Sequence, residues 1–86
     1  MNKNLMEALT LASQVITRAK KMSDQVEIVL APPSPYLHTI NSMSKDLSYV
    51  KVAAQDCHHK TSGAFTGDIS ASMLASMNLA YVILGH

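Results

Sequence analysis

The sequence predicts an α/β fold in which helices and strands alternate in the order α-β-α-β-α-β. Three short apolar runs begin at Val26, Val50 and Ala80, and each follows a segment with helical periodicity. Strands at this spacing, with helices between them, favour βαβ crossovers and therefore a parallel sheet. The runs are continuously apolar rather than alternating, which is typical of parallel strands that are covered on both faces.

The first element is predicted to be an amphipathic helix over residues 4–22. Its apolar positions follow at steps of three and four, which indicates one buried stripe made of Leu5, Leu9, Ala12, Ile16 and Ala19. Asn4 can accept hydrogen bonds from the free N–H groups of the first turn, and Lys20 and Lys21 suit the negative end of the helix. We therefore expect this helix to lie on the surface of something larger.

A proline pair separates the first strand from the second helix. Residues 26–31 are rich in β-branched side chains and predict a strand, which Pro32 and Pro33 end because proline has no backbone donor. Ser34 is predicted to cap a second helix, whose apolar residues recur every three positions at Leu37, Ile40 and Met43.

The second half of the chain repeats the order of strand and helix around a long polar loop. Residues 50–55 predict a strand, residues 56–67 a loop, and residues 68–77 a third helix. The inner face of that helix is expected to carry Ile69, Met73, Leu74 and Met77. A last apolar run at residues 80–84 predicts a buried strand that leads into Gly85 and His86.

Composition excludes several classes of protein. The chain has 86 residues, with 7 Lys and Arg against 6 Asp and Glu, so it lacks the basic surface that nucleic-acid binding requires. Hydrophobic residues make up 48%, which is too many for a disordered chain. A single cysteine excludes an internal disulfide and favours an intracellular protein. No apolar run approaches the roughly 18 residues of a membrane span, so we expect no signal peptide and no membrane anchor.

The pattern predicts one incomplete domain over residues 1–86. It starts on a helix and stops directly after its most apolar strand. A three-stranded parallel sheet on its own would leave both edges open, and open apolar edges favour association with other chains. We therefore expect the chain to be a piece of a larger α/β protein.

Candidate functional residues lie where the predicted strands end, because ligands of parallel α/β sheets bind beyond the carboxyl ends of the strands. The last predicted strand ends on Gly85 and His86. An imidazole at that point could donate a hydrogen bond or transfer a proton near neutral pH. The alternative is a solvated terminal side chain, and position alone leaves both interpretations open.

Other chemistry-bearing residues have simpler explanations. Cys57, His58 and His59 are metal-binding types, but adjacent side chains point in different directions and lack the spacing of a zinc site. Ordinary loop residues are the favoured interpretation. His38 is expected on the surface, and Asp56 has no second carboxylate nearby for paired acid–base chemistry. The glycines form no nucleotide-binding motif.

The predicted loop carries the one phenylalanine of the chain in polar surroundings. Phe65 lies between Gly63 and Gly67. An apolar ring on a long loop is typical of a contact with another chain. The alternative, that Phe65 folds back on its own domain, is equally compatible with the sequence.

Several segments together resemble the triosephosphate isomerase family. The most specific is Gly-Ala-Phe-Thr-Gly-Asp at residues 63–68, accompanied by Ala-Ala-Gln-Asp-Cys at 53–57 and Tyr-Val-Ile-Leu-Gly-His at 81–86. Val-Leu-Ala-Pro-Pro at 29–33 is similar to the second strand of that family and the turn after it. Two departures are Asp56, where the family usually has asparagine, and Asn78, where glycine is common.

The resemblance implies that the chain is a fragment of a (β/α)₈ barrel, from its first helix through its fourth strand. It implies a cytoplasmic isomerase of glycolysis and gluconeogenesis that interconverts dihydroxyacetone phosphate and glyceraldehyde 3-phosphate without a cofactor. His86 falls on the catalytic histidine, the electrophile that polarises the substrate carbonyl and shuttles a proton. The family's substrate-binding residues on the first strand, its glutamate base and its late phosphate loops have no counterpart here. We therefore expect residues 1–86 alone to be inactive.

The resemblance also implies a homodimer. The loop from Gly63 to Asp68 would insert into the neighbouring subunit, and the residues expected at this contact are Gln55, Phe65, Thr66, Gly67 and Asp68. Neither a nucleic acid nor a membrane is expected as a partner. The alternative function is a short non-catalytic module that acts through self-association. An unrelated phosphate-binding module is a weaker reading, because the sequence carries no motif that would cradle the anion.

Overall fold

Residues 3–21 and 27–85, which the computed structural model describes, form a parallel sheet with helices packed on one of its faces. The elements in chain order are α1 (Leu5–Lys20), β1 (Ile28–Leu30), a 3₁₀ turn (Ser34–Tyr36), α2 (Leu37–Ser44), β2 (Val50–Ala54), α3 (Ala71–Ser76) and β3 (Tyr81–Val82). The predicted alternation of helices and strands is confirmed. The predicted end of the first helix at Met22 and start of the first strand at Val26 lie outside the described residues.

β2 lies in the centre of the described sheet, between β1 and β3. Ile28 is opposite Val50 in the first pair, and Ala53 is opposite Tyr81 in the second. Both pairs are parallel, as predicted, and the helices α2 and α3 supply the connections between consecutive strands. The carboxyl ends of all three strands therefore meet at the same edge.

α1 confirms the predicted helix and its cap. The side chain of Asn4 accepts a hydrogen bond from the N–H of Glu7 at 2.9 Å, and Oε1 of Glu7 accepts one from the N–H of Asn4 at 3.2 Å. This reciprocal pair is a capping box, which satisfies two otherwise free donors. The buried residues of the helix are Ala8, Ala12, Ile16 and Ala19. Leu5, expected in the buried stripe, is 44% exposed, so the stripe begins one turn later than predicted.

The start of α2 differs from the prediction. Ser34 does not cap this helix; it opens the 3₁₀ turn, in which the N–H of Tyr36 donates to the carbonyl of Pro33 at 3.0 Å. The α-helix itself begins after this turn, at Leu37.

The buried face of α2 follows helical spacing rather than a strict repeat of three. Leu37 and Ile40 are each 2% exposed, as predicted. The third buried residue is Ser44, whose Oγ donates to the carbonyl of Ile40 at 3.0 Å. Met43, expected in this stripe, is 39% exposed, because at 3.6 residues per turn position 44 lies nearer to the line of Leu37 than position 43 does.

α3 is shorter than predicted because the residues before it belong to the loop. The N–H of His58 donates to the carbonyl of Ile69 at 2.7 Å, which holds that stretch extended. The helix begins at Ala71, and Oγ of its cap Ser70 accepts a hydrogen bond from the N–H of Met73 at 3.2 Å.

The inner face of α3 is correspondingly narrow. Leu74 is 5% exposed and belongs to the core, and Ile69 and Met77 pack half-buried against it. The prediction that Met73 faces inward is wrong, since its side chain is 56% exposed. A helix of six residues presents a single fully buried position to the sheet.

The last strand is also shorter than predicted. Backbone pairing covers Tyr81 and Val82, and the N–H of Ile83 donates to the carbonyl of Ala54 at 2.9 Å. Val82 packs against the core, whereas Tyr81 is 50% and Leu84 is 67% exposed. The expectation of strands covered on both faces holds for β2, where the successive residues Val52, Ala53 and Ala54 are all buried. It does not hold for the outer strands, where Val29 is 48% exposed.

The hydrophobic core lies between the central strand and the three described helices. Its buried members are Ala8, Ala12, Leu37, Ile40, Val52, Ala54 and Leu74. Leu37 and Val52 are almost completely excluded from solvent. No helix within residues 3–21 and 27–85 has the length and apolar character needed to cross a membrane.

Candidate functional site

The carboxyl ends of β1 and β2 are held together by a side chain. Nε2 of Gln55, the residue after β2, donates a hydrogen bond to the carbonyl of Ala31, the residue after β1, at 2.7 Å. A cavity of about 160 Å³ lies beside this bond and is lined by Ser34, Ala54, Gln55, Asp56, Cys57, Gly67, Asp68 and Ile69. The structure thus brings predicted interface residues together at the edge where parallel sheets bind their ligands.

The predicted catalytic residue, His86, lies outside the described residues. The chain is described as far as Gly85, which follows β3 and has a φ of 73°. No described atom lies within 4 Å of the Cβ that a larger residue would add there. Glycine is therefore favoured at this position by the left-handed backbone and not by a lack of space. Gly85 brings the chain to the same edge as Gln55.

The long loop between β2 and α3 is closed at its base. His58 and Ser70 form an isolated parallel bridge, which includes the 2.7 Å hydrogen bond from the N–H of His58 to Ile69. Near the tip, the N–H of Asp68 donates to the carbonyl of Phe65 at 3.0 Å and forms a turn. The loop therefore has an internal structure of its own.

Phe65 combines features of both interpretations that the sequence left open. Its ring packs on the imidazole of His58, with centroids 4.1 Å apart, so it does fold back on its own chain. It is nevertheless 41% exposed. Thr66 and Gly67 follow it in an exposed turn, so the predicted contact residues lie on the accessible side of the loop.

His58 makes structural contacts through both ring nitrogens. Nδ1 accepts a hydrogen bond from the N–H of Lys60 at 3.0 Å, and Nε2 lies 3.8 Å from Oδ2 of Asp68. The ring of His59 stacks on it with centroids 4.5 Å apart. Within the part of the chain that the structure describes, no three His, Cys, Asp or Glu side chains are grouped as ligands for a metal ion. Half-buried Cys57 is a free thiol.

Comparison with known proteins decides the family. The family model described as triosephosphate isomerase matches residues 1–86. The chain belongs to the triosephosphate isomerase family. The triosephosphate isomerase of Cytophaga hutchinsonii is 44% identical over 87 residues and that of Prosthecochloris aestuarii is 37% identical over 86, each covering 100% of this chain and 34% of the relative. That of Rhizobium etli is 46% identical over 65 residues, which is 76% of this chain and 25% of the relative.

Membership of the triosephosphate isomerase family gives the described sheet its context. The chain spans about a third of the length of the curated relatives it matches. The family fold is an α/β barrel of alternating strands and helices, and β1 to β3 with α2 and α3 between them follow that alternation. Active sites of such barrels form at the carboxyl ends of the strands. The edge that carries Gln55, Asp68 and Gly85 is therefore the candidate functional edge.

One contact that sequence reasoning missed joins the two outer strands of this triosephosphate isomerase segment. The hydroxyl of Tyr81 on β3 donates to Oε1 of Glu27, which precedes β1. The two residues are 54 positions apart, and no local pattern in the sequence indicates that they meet.

A cleft of about 480 Å³ lies at the opposite end of the described sheet, between α2 and α3. Its lining includes His38, Lys45 and Lys51 and, among the described residues, neither Asp nor Glu. The carboxyl ends of α2 and α3 also contribute to its lining, and the negative end of a helix dipole disfavours an anion. His38 is exposed here, which confirms the prediction that it is a surface residue.

Proposed function

We propose that the protein containing these residues is a triosephosphate isomerase that interconverts dihydroxyacetone phosphate and D-glyceraldehyde 3-phosphate. The observation that carries the proposal is the family match over residues 1–86. It is supported by curated relatives of that name that align with the whole chain. The substrate is a triose phosphate, no cofactor is required, and the reaction belongs to glycolysis and gluconeogenesis in the cytoplasm.

His86 is the catalytic residue in this proposal. The isomerisation moves one proton between neighbouring carbons of the triose and another between the oxygens that those carbons carry. A neutral imidazole donates a hydrogen bond to the carbonyl oxygen, stabilises the enediolate and passes its proton to that oxygen, which is the behaviour known for histidine in this family of enzymes. The support in this chain is that Gly85, the residue before it in the sequence, lies at the carboxyl edge of the sheet.

Residues 1–86 form a single barrel domain segment that is inactive on its own. A proton next to a carbonyl is removed by a base, and the substrate phosphate is held by an anion site. The family residues for these two tasks match nothing in the 86 residues. His86 therefore acts together with parts of the barrel that this sequence does not supply.

The protein acts as a homodimer in which the loop from Gly63 to Asp68 enters the neighbouring subunit. The exposed turn at Thr66 and Gly67 and the 41% exposure of Phe65 support this contact. Gln55 and the loop residues Gly67 and Asp68 line the same cavity, and Gln55 takes part in the same subunit contact.

The test is the isomerase activity of the protein at its native length and of its His86→Gln variant. We expect kcat to fall about 10²–10⁴-fold, the size expected when a positioned acid–base group is removed. His38→Gln is the matched control, because this histidine is exposed on α2. A wild-type protein without isomerase activity, or a His86→Gln variant as active as the wild type, would overturn the proposal.

A second candidate function is association without catalysis. The apolar side chains Val29, Tyr81, Ile83 and Leu84 are between 41% and 67% exposed on the described strands and the residues after β3. The intact mass of the protein from its source separates the two candidates. A mass about three times 9.3 kDa, as a barrel of about 250 residues requires, favours the isomerase. A mass of 9.3 kDa favours association.

A further inference from the structure

His58 makes several contacts within the loop between β2 and α3. The backbone N–H of His58 closes the base of the loop by donating to Ile69, and the ring atom Nδ1 accepts a hydrogen bond from the N–H of Lys60. Its Nε2 faces the carboxylate of Asp68 at 3.8 Å. Asp68 is in turn bonded through its backbone N–H to Phe65. The imidazole itself therefore contacts Lys60 near the start of the loop, Phe65 near its tip and Asp68 near its end.

The ring of Phe65 packs against two residues of the loop. The imidazole of His58 lies 4.1 Å from it, centroid to centroid, with the planes inclined by 32°. A Cβ at Gly63 would lie 2.5 Å from Cε2 of Phe65, so only glycine lets the ring approach this closely. Gly63 has a φ of 136°, which other residues rarely adopt. Residues of the same loop, His58 and Gly63, therefore fix the orientation of the Phe65 ring.

We propose that His58 is a positioning residue for the subunit contact, holding Phe65 in the pose from which it enters a second copy of this chain. This inference rests on the homodimer proposed above and adds the residue that prepares the contact. A loop that is folded before association loses less conformational entropy when the subunits meet. The 41% of Phe65 that stays exposed is the apolar surface that this pose leaves available to the partner.

Two properties of His58 carry this role, and variants separate them. The ring supports Phe65 by stacking, and Nδ1 orders residues 58–60 by accepting the N–H of Lys60. His58→Phe keeps a ring and loses the acceptor. His58→Asn keeps an acceptor near the position of Nδ1 and loses the ring. His58→Ala removes both, and His38→Ala is the control on α2.

The first measurement is the dissociation constant of the dimer, by sedimentation of the protein at its native length. We expect His58→Ala to raise it about tenfold or more, and the Phe and Asn variants to recover part of the loss. The second measurement is the NMR shift of the Gly63 α-protons, which lie against the Phe65 ring. We expect a ring-current shift that is lost in His58→Ala and partly retained in His58→Phe.

Either of two results would overturn the inference. One is a His58→Ala dimer within about twofold of the wild type although the Gly63 shift is lost. The other is a weakened dimer with the Gly63 shift intact, which would show that Phe65 keeps its pose without His58. If His58→Ala fails to fold, His58→Asn, which also removes the ring that stacks on Phe65, is compared with the wild type by the same two measurements. A wild-type protein that stays monomeric refutes the dimer, while the Gly63 shift still tests the His58–Phe65 coupling.

Discussion

The hydroxyl of Tyr81 donates a hydrogen bond to Oε1 of Glu27 at 3.1 Å and so joins the two outer strands of the described sheet across β2. Glu27 precedes β1, and Tyr81 begins β3. The hydrogen bond to the carboxylate, followed by its negative charge, raises the pKa of Tyr81 above the ordinary value of 10.0. We therefore expect this contact to weaken at alkaline pH.

Loss of the Tyr81 proton should destabilise the fold. Because the pKa is raised in the folded state, the contribution is fully present below the unfolded value of about 10 and is lost as pH rises through the folded value. We expect wild-type stability to fall relative to that of Tyr81→Phe above about pH 10. Urea unfolding of both proteins from neutral to alkaline pH measures this. Parallel stability curves for the two proteins would contradict the expectation.

Gly63→Ala should destabilise the protein more than Gly67→Ala does. Both glycines have positive φ, but the new Cβ at Gly63 would meet Phe65 at 2.5 Å, whereas no described atom lies within 4 Å at Gly67. Strain of the backbone costs about 1–3 kcal/mol in each variant, and the clash adds to it at Gly63 alone. Chemical denaturation gives both values, and equal losses would show that the ring moves away without cost.

Asn4→Ala should remove the capping box of α1. The variant loses the acceptor for the N–H of Glu7, and we expect a loss of about 1 kcal/mol in the free energy of unfolding. Gln14→Ala is the control, because Gln14 is exposed on the same helix. A thermal unfolding midpoint equal to that of the control would mean that the cap contributes nothing.

Leu37→Ala and Met43→Ala should differ sharply although both residues lie on α2. Leu37 is 2% exposed, and its truncation should cost about 2–5 kcal/mol because it leaves a cavity in the core. Met43 is 39% exposed, and its truncation should cost less than about 1 kcal/mol. Urea denaturation of the two variants tests which face of α2 is buried. A larger loss of stability in Met43→Ala than in Leu37→Ala would refute this assignment of the buried face.

The elements that the sequence predicts correctly depend on local information. Asn4, the predicted cap of α1, accepts its hydrogen bond from Glu7, only three positions later. The end of β1 follows from the neighbouring Pro32, whose chemistry acts on adjacent residues. The order of helices and strands likewise follows from periodicity within short windows.

Features that depend on residues far apart in the sequence could not be predicted from local sequence patterns. The start of α3 is set by a hydrogen bond from His58 to Ile69, eleven positions later. In the candidate site, the resemblance singles out Gln55 and Phe65, but it does not indicate what they contact in this chain. Only the folded structure shows these contacts.

The side-chain amide of Gln55 adds one hydrogen bond between the two chain segments that follow β1 and β2. The last paired backbone residues in this register are Leu30 and Val52, yet the side chain spans the next gap by donating to Ala31. The main chain after β2 turns away into the loop, so at this rim a side chain makes the link between the two strands. A substitution such as Gln55→Leu would remove this link and leave the backbone pairing of β1 with β2 in place.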